Sequence, residues 1–501
     1  GAVFPSTCQR LSPYLAEFVG TYLLTMTFIY NFEVSNPPVW TATSNGFMVM
    51  ALTYTFGHVS GANMNPSISL ALLMAGRQSA GVVLRLCFVQ ILGCVGAALT
   101  HLYVARTTVE IGPRGDTTWR AVVLVEIVFS AALCFVYLNC VSSTRNNPWH
   151  SSNGFTGLSV GFIVLAGGFA SRKLTSCVMN SAIAVGLGLI DSRNGFNGAA
   201  IGYFFADLVG AFLATWAYRM VRPYEAHVRN VDYAAGRPEG ASPRGWSDNK
   251  PILQRDPEFE RLAAEFIGTF LVTFTKGLNR LGDTSVGPEA WSVAAMITGL
   301  SCSLRGVSGA FFNPAVTLAA MLGGRAPDCR ARSALLYMAA QVLAGMAASS
   351  LCAAMNHGKA IPLTFQTKAS LGGELFAESS FVFLITYVVL TMSVTDGKVG
   401  ADVSSSRSSA ASRLPRQNDI AGFAYGACHV AGGFAAVHIS GALLNPAIVL
   451  SFSGVDVVQG HVRGDVFAYL AWQVIGALLA LGAFVFTHPR LYVSGAPPGA
   501  A

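Results

Sequence analysis

The sequence predicts an all-α membrane protein of two tandem modules, with twelve transmembrane helices and four re-entrant half-helices. Three observations carry that prediction. The 501-residue chain is 52% hydrophobic and only 11% charged, with a mean hydropathy of +0.50, whereas soluble domains carry roughly 25% charged residues. Its apolar runs fall into two sets of six. The same short motifs return at matching intervals in both sets, the signature of an internal repeat.

The first set of runs covers residues 14–30, 43–56, 82–103, 121–141, 155–169 and 199–220; the second covers 262–275, 291–304, 334–355, 375–394, 420–437 and 466–486. A helix crossing the hydrocarbon core needs about 20 apolar residues, and most of these runs approach that length. Between the sets, residues 222–258 hold Pro223, Pro238, Pro243, Pro251 and Pro257 among many charges. Such a composition cannot pack a core and reads as a linker. The expected division is therefore module one at 1–221, a charged Pro-rich linker at 222–258 and module two at 259–501.

With the N-terminus inside, the larger share of the 32 Lys and Arg falls on the inner side, Arg77 and much of the linker included. The positive-inside rule then places the termini and linker in the cytoplasm. The net charge of +7 is explained by this topology, so no nucleic-acid partner is expected. Ten cysteines show no CxxC pair and no Cys/His ligand spacing, which favours small buried thiols over a disulfide or metal framework. The chain begins at Gly1, so a cleaved targeting segment upstream is an open matter.

The chemistry lies in four Asn-led segments: NPSISLALLM from Asn65, NSAIAVGLGL from Asn180, NPAVTLAAML from Asn313 and NPAIVLSFSG from Asn445. Asn caps helix N-termini well, and Pro suits the first helical position. A helix of about nine residues covers only about 14 Å, too short to span, so each must be a re-entrant segment satisfied by protein or by a water path. Glu17 to Asn65 and Glu265 to Asn313 are equal intervals of 48 residues. Glu126 to Asn180 is 54 residues and Glu378 to Asn445 is 67, the excess matching a Ser/Arg-rich insertion at 396–419 expected to form a flexible loop. Each module thus repeats within itself after three spans, which inverts the second half and brings two half-helix N-termini together near the bilayer centre. Paired positive dipole ends there repel cations and favour neutral polar solutes.

Through AEFVGT and AEFIGT, GHVSGANMNPS, GVSGAFFNPAVTLA and HISGALLNPA, the sequence resembles the aquaporin and glycerol-facilitator (major intrinsic protein) family, twice in tandem. The resemblance implies two aquaporin-like six-helix barrels in one chain, without catalytic residues, metal or cofactor. It implies a passive channel for water and/or small neutral solutes such as glycerol, urea, ammonia or peroxide. Its pore motifs fall on Asn65, Pro66 and Ser67; Asn180, Ser181 and Ala182; Asn313, Pro314 and Ala315; and Asn445, Pro446 and Ala447. Glu17, Glu126, Glu265 and Glu378 are implied to accept hydrogen bonds from the re-entrant loops rather than to relay protons. Assembly in fours, as in the family, would make a homodimer of this chain a pseudo-tetramer.

Counted from the Asn residues, the family's selectivity filter falls on Asn45, Gly168, Cys177 and Ile183 in module one and on Val293, Gly433, Ala442 and Ile448 in module two. Ile183 and Ile448 stand where the family usually has Arg, and without that donor fork wider, less polar pores are expected. Arg172 or Lys173 offers a substitute charge at the outer mouth, against the simpler reading of solvated loop charges. Arg305 is either an obstruction of the inner vestibule or a snorkelling anchor. Cys177 is an expected mercurial target. His58, His429 and His438 lack any nucleophile or metal arrangement. Gly93, Gly96, Gly157 and Gly161 are expected at close helix crossings. Two other functional classes stay open: a twelve-span secondary transporter using the buried carboxylates, and a structural or junctional membrane protein with closed pores.

Overall fold

A computed structural model describes residues 6–33, 38–143, 146–147, 153–190, 198–223, 225, 257–282, 286–325, 331–363, 370–398, 420–458 and 466–489. The rest of the 222–258 linker and of the 396–419 insertion lies outside the described residues. The chain divides into two compact units, Gly1–Arg255 and Asp256–Ala501, and every element among the described residues is helical.

Module one runs α1 (Ser6–Glu33), α2 (Pro38–Ser60), α3 (Pro66–Met74), α4 (Ala80–Ala105), α5 (Trp119–Tyr137), α6 (Thr156–Ser171), α7 (Ser181–Ile190) and α8 (Gly198–Val221). A π turn, Leu138–Ser142, prolongs α5. Module two repeats the order with α9 (Pro257–Leu281), α10 (Val286–Ser308), α11 (Pro314–Leu322), α12 (Ala331–Met355), α13 (Leu371–Lys398), α14 (Ala421–Ser440), α15 (Pro446–Val458) and α16 (Val466–Thr487). Among the described residues each module thus has six helices of 16 residues or more and two shorter ones. Six helices among the described residues, α4, α5, α8, α12, α13 and α16, are long and apolar enough to cross a membrane on length and composition alone. α15, at 13 residues, is longer than the nine expected of a half-helix.

The long helices pair alike in both modules: α1 on α4, α2 on α6 and α5 on α8, then α9 on α12, α10 on α14 and α13 on α16. Small residues permit the closest crossings. A Cβ on Gly161 would lie 2.6 Å from the Gly46 carbonyl, and one on Gly93 would lie 2.5 Å from the Phe18 carbonyl. Gly157 fits under the Tyr54 ring, whereas a Cβ on Gly96 would meet its neighbours at ordinary distances. Gly96 therefore has no steric requirement, contrary to the sequence expectation.

The apolar runs understate several helices. α9 continues to Leu281 and carries Lys276 and Arg280, both nearly inaccessible. A reading by apolar run ends at residue 275 because of Lys276. The start of the linker is also pinned: Arg77, only 1% exposed, donates to Tyr218 Oη and to the Glu225 carbonyl, while Arg222 donates to Asn139 of the π turn and pairs with Glu225.

Candidate functional site

Each short helix begins as its sequence dictates. Asn65 and Asn313 have extended backbones and accept from the N–H of Ser67 and Ala315, with Pro at the first helical position. Asn445 caps Ala447 in the same way. Asn180 caps Ala182 although Ser181 replaces Pro. The two departures of module one meet, because the Ser181 and Ser67 hydroxyls hydrogen-bond each other. The half-helix starts therefore touch.

Across each module the Asn amides are exchanged. Asn65 Nδ2 donates to the Met179 carbonyl and Asn180 Nδ2 to the Met64 carbonyl, both at 2.8 Å. Asn313 and Asn445 do the same with the Leu444 and Phe312 carbonyls at 2.9 and 2.8 Å. A side-chain amide has two N–H donors, so each Asn retains one for another acceptor.

The loops entering these motifs share one backbone pattern. Ala62, Met64, Cys177, Met179, Ala310, Phe312, Ala442 and Leu444 all have φ between 45° and 55°. The left-handed region costs a non-glycine residue about 1–2 kcal/mol, so eight such residues need a fixed partner. The four glutamates supply it. Glu17 accepts from the N–H of Asn63 and Met64, from Ser60 and from Gln90. Glu265 accepts from Phe311, Phe312, Ser308 and Gln341, and Glu378 from Leu443, Leu444, Ser440 and Gln473. Charge-assisted bonds of this kind offset the cost of burying a carboxylate. Glu126 accepts from Val178, Met179 and Thr175.

Sequence reading missed the side-chain half of these braces. The hydroxyl always lies five residues before the motif Asn, at Ser60, Thr175, Ser308 and Ser440, a spacing that could have revealed it. The fourth brace also departs from the glutamine pattern. Asp207 on α8 is buried, accepts from Ser130 at 2.5 Å and leaves Oδ2 without a partner among the described residues.

A cavity of about 50 Å³ lies within module one, lined by Asn45, Cys177, Ile183, Asn65 and Asn180 among largely apolar neighbours. Three of the four sequence-expected filter residues thus meet, with Asn45 oriented by Asn31. Gly168 instead lies against α2, where a Cβ would approach Ala42 Cβ to 2.9 Å. The module-two cavity, about 10 Å³, is lined by Val293, Gly433 and Ala442 together with Lys276, Glu289 and His429. Ile448 is buried and outside that lining.

Among the other charges, Lys173 is exposed and Arg172 is partly buried; neither lines the first cavity. Arg114, in the connection between α4 and α5, donates to the Arg172 carbonyl and stands 5.0 Å over the Phe32 ring. Burial lowers the Arg114 pKa from its ordinary value, but a guanidinium stays charged in proteins. Arg305 is half-buried, and His58 and His438 are exposed.

The profile of the major intrinsic protein family matches residues 6–218 and 253–407. The chain is 27% identical over 238 residues to aquaporin NIP1-2 of Oryza sativa subsp. japonica, covering 43% of this chain and 74% of the relative. It is 25% identical over 211 residues to glycerol uptake facilitator protein-like 6 of Lactiplantibacillus plantarum, covering 42% and 97%, and 28% identical over 222 residues to aquaporin-5 of Ovis aries, covering 41% and 80%. An aquaglyceroporin structure from Plasmodium falciparum aligns over 44% of this chain and 100% of its own, at 16% identity and a TM-score of 0.38.

The chain belongs to the major intrinsic protein family, with two family modules in tandem. It is accordingly an integral multi-pass membrane protein and a passive channel for water or small solutes.

Proposed function

We propose that each module forms its own pore, and that the pores carry small neutral solutes such as glycerol, urea, ammonia or peroxide as well as, or in place of, water. The observation that carries this reading is the paired Asn motif of each module, with the apolar Ile183 beside Asn65 and Asn180 on the wall of the first cavity. Two capped half-helix N-termini direct positive dipole ends and spare amide donors at the path. Such a site welcomes a neutral oxygen or nitrogen acceptor and repels a cation. An apolar side chain in place of a guanidinium removes a fixed donor fork from the constriction.

In this reading the pore motifs are Asn65, Pro66, Ser67, Asn180, Ser181 and Ala182 in the first module and Asn313, Pro314, Ala315, Asn445, Pro446 and Ala447 in the second. Glu17, Glu126, Glu265 and Glu378 hold the loops in place. Their hydrogen-bonding capacity is largely committed to backbone and neighbouring side chains, which argues against a coupling role in a secondary transporter. The modules are taken as 1–221 and 259–501, joined by a cytoplasmic linker with the termini on the same side. Two chains are taken to associate as a pseudo-tetramer, which mass measurement in detergent tests: a purely monomeric species would contradict it.

Stopped-flow light scattering on proteoliposomes, with water, glycerol, urea and ammonia in turn, tests the permeants. The expected result is downhill flux of at least one solute besides water. Uphill flux driven by a proton or sodium gradient would select the transporter instead, and no flux of any solute would select a closed structural protein.

A further inference from the structure

The outer part of the second cavity carries a charge cluster where the first has aromatic rings. Lys276 and Arg280 stand one turn apart on α9, with Glu289 near the start of α10, all three at most 5% exposed. Lys276 Nζ lies 2.6 Å from Glu289 Oε1 and donates to the Ala442 carbonyl at 2.9 Å. Arg280 Nε lies 3.2 Å from the same carboxylate oxygen. The rest of the guanidinium donates to the carbonyls of Pro362, Leu363 and Gly441. With Glu17 set in register with Glu265, these three positions correspond to Phe28, Phe32 and Thr41. Phe28 lines the first cavity, and its ring lies 4.9 Å from that of Phe32.

The second cavity brings this cluster to the filter positions. Lys276, Glu289 and His429 share its wall with Val293, Gly433 and Ala442. Glu289 Oε2 and His429 Nε2 are buried with no hydrogen-bond partner among the described residues. An ammonium has three donors, and two of those on Lys276 face Glu289 and Ala442. One donor and two unmatched ring or carboxylate atoms are then gathered around a space of about 10 Å³, the room one water needs. That chemistry suits a small neutral molecule that both donates and accepts.

We propose that Lys276, held by Glu289 and backed by Arg280, is the specificity-determining cation of the second pore, delivered from α9 instead of from the position held by Ile448. The assignment rests on the reading of each module as a pore. Lys276 and Arg280 face Glu289, and the braced Glu378 carboxylate is the next charge acting on Lys276. It is the Lys276 ammonium that stands on the cavity wall, where in a low dielectric its field repels cations. Water exchanges hydrogen bonds with Nζ, Oε2 and His429 and passes. The larger, mostly apolar first cavity admits glycerol-sized solutes. The two pores of one chain therefore select differently.

The test uses the full chain in proteoliposomes, with Cys177→Trp filling the first cavity. This parent is expected to pass water, to pass little glycerol and to show no monovalent-cation leak. Lys276→Gln removes the positive charge from the cavity wall yet leaves Glu289 paired with Arg280, so the fold retains a partner for the buried carboxylate. It is expected to raise cation leak on the order of tenfold and to raise the glycerol-to-water permeability ratio, while Lys276→Arg keeps both at the parental values. Unchanged leak and ratio in Lys276→Gln would overturn the assignment. So would water flux that appears only in Lys276→Gln, because Lys276 would then be a plug. Absence of all flux from the unmutated chain would instead contradict the channel reading itself. A transplant gives an independent check that does not depend on the stability of Lys276→Gln. Phe28→Lys with Phe32→Arg and Thr41→Glu should suppress glycerol flux through the first pore while water persists, and undiminished glycerol flux would count against the proposal.

Discussion

Asn65 and Asn180 are cross-tied at the centre of the first module: each amide donates at 2.8 Å to the carbonyl of the residue preceding the other. The same side chains cap the half-helices with their oxygens. One residue therefore fixes both where its own helix starts and where the opposing loop stops. Asn65→Ala removes an N-cap, worth about 1 kcal/mol, and leaves the buried Met179 carbonyl unmatched, at about 1–3 kcal/mol. Thermal unfolding in detergent should show a loss of about 2–4 kcal/mol by that accounting. A loss confined to a few tenths would mean that the tie is not structural.

Glu17 gathers two backbone N–H groups, a hydroxyl and an amide on one carboxylate. Glu17→Ala leaves buried donors unmatched at about 1–3 kcal/mol each, and should destabilise the first module and abolish flux through its pore. Glu17→Gln keeps one acceptor oxygen and should cost less. Limited proteolysis and solute flux measured together would show this ranking, and equal behaviour of the two variants would contradict the bracing role.

Asp207 occupies the place in the fourth brace where Gln90, Gln341 and Gln473 serve the others, and one of its oxygens has no partner among the described residues. A buried carboxyl group with an unmatched oxygen is costly. Asp207→Asn should raise the stability of module one by about 1 kcal/mol with flux unchanged. A drop in flux without loss of stability would instead give Asp207 a part in permeation.

Cys177 is a free thiol on the wall of the first cavity, while Ala442 holds the matching place in the second. A mercurial should block flux through module one alone, with recovery on adding a thiol reductant. Ala442→Cys should extend the block to module two. Persistence of full flux after the thiol has reacted would move Cys177 away from the conducting path.

Much of this was legible in the sequence because it is local. An Asn before Pro caps a helix by short-range geometry, and the equal Glu-to-Asn intervals expose the repeat. The partners of the glutamates were not legible, since Gln90 and Gln341 reach them from other helices and a lone Gln in a span carries no periodic signal. Lys276 and Arg280 were hidden for a different reason: in a one-dimensional reading a cation ends an apolar run, yet here α9 continues and turns both inward against Glu289. The glycines of the filter were ambiguous too. Gly168 leaves room in sequence, but Ala42 fills that room in the fold.

The most direct measurement is the permeability of proteoliposomes holding the full chain, set against protein-free vesicles, for water and for glycerol under an osmotic gradient alone. Passive two-pore conduction predicts rapid swelling or shrinkage for both, with water flux partly lost on replacing either Asn pair and glycerol flux lost mainly on replacing Asn65 and Asn180. Permeability equal to that of bare lipid, or flux that requires an ion gradient, would contradict it.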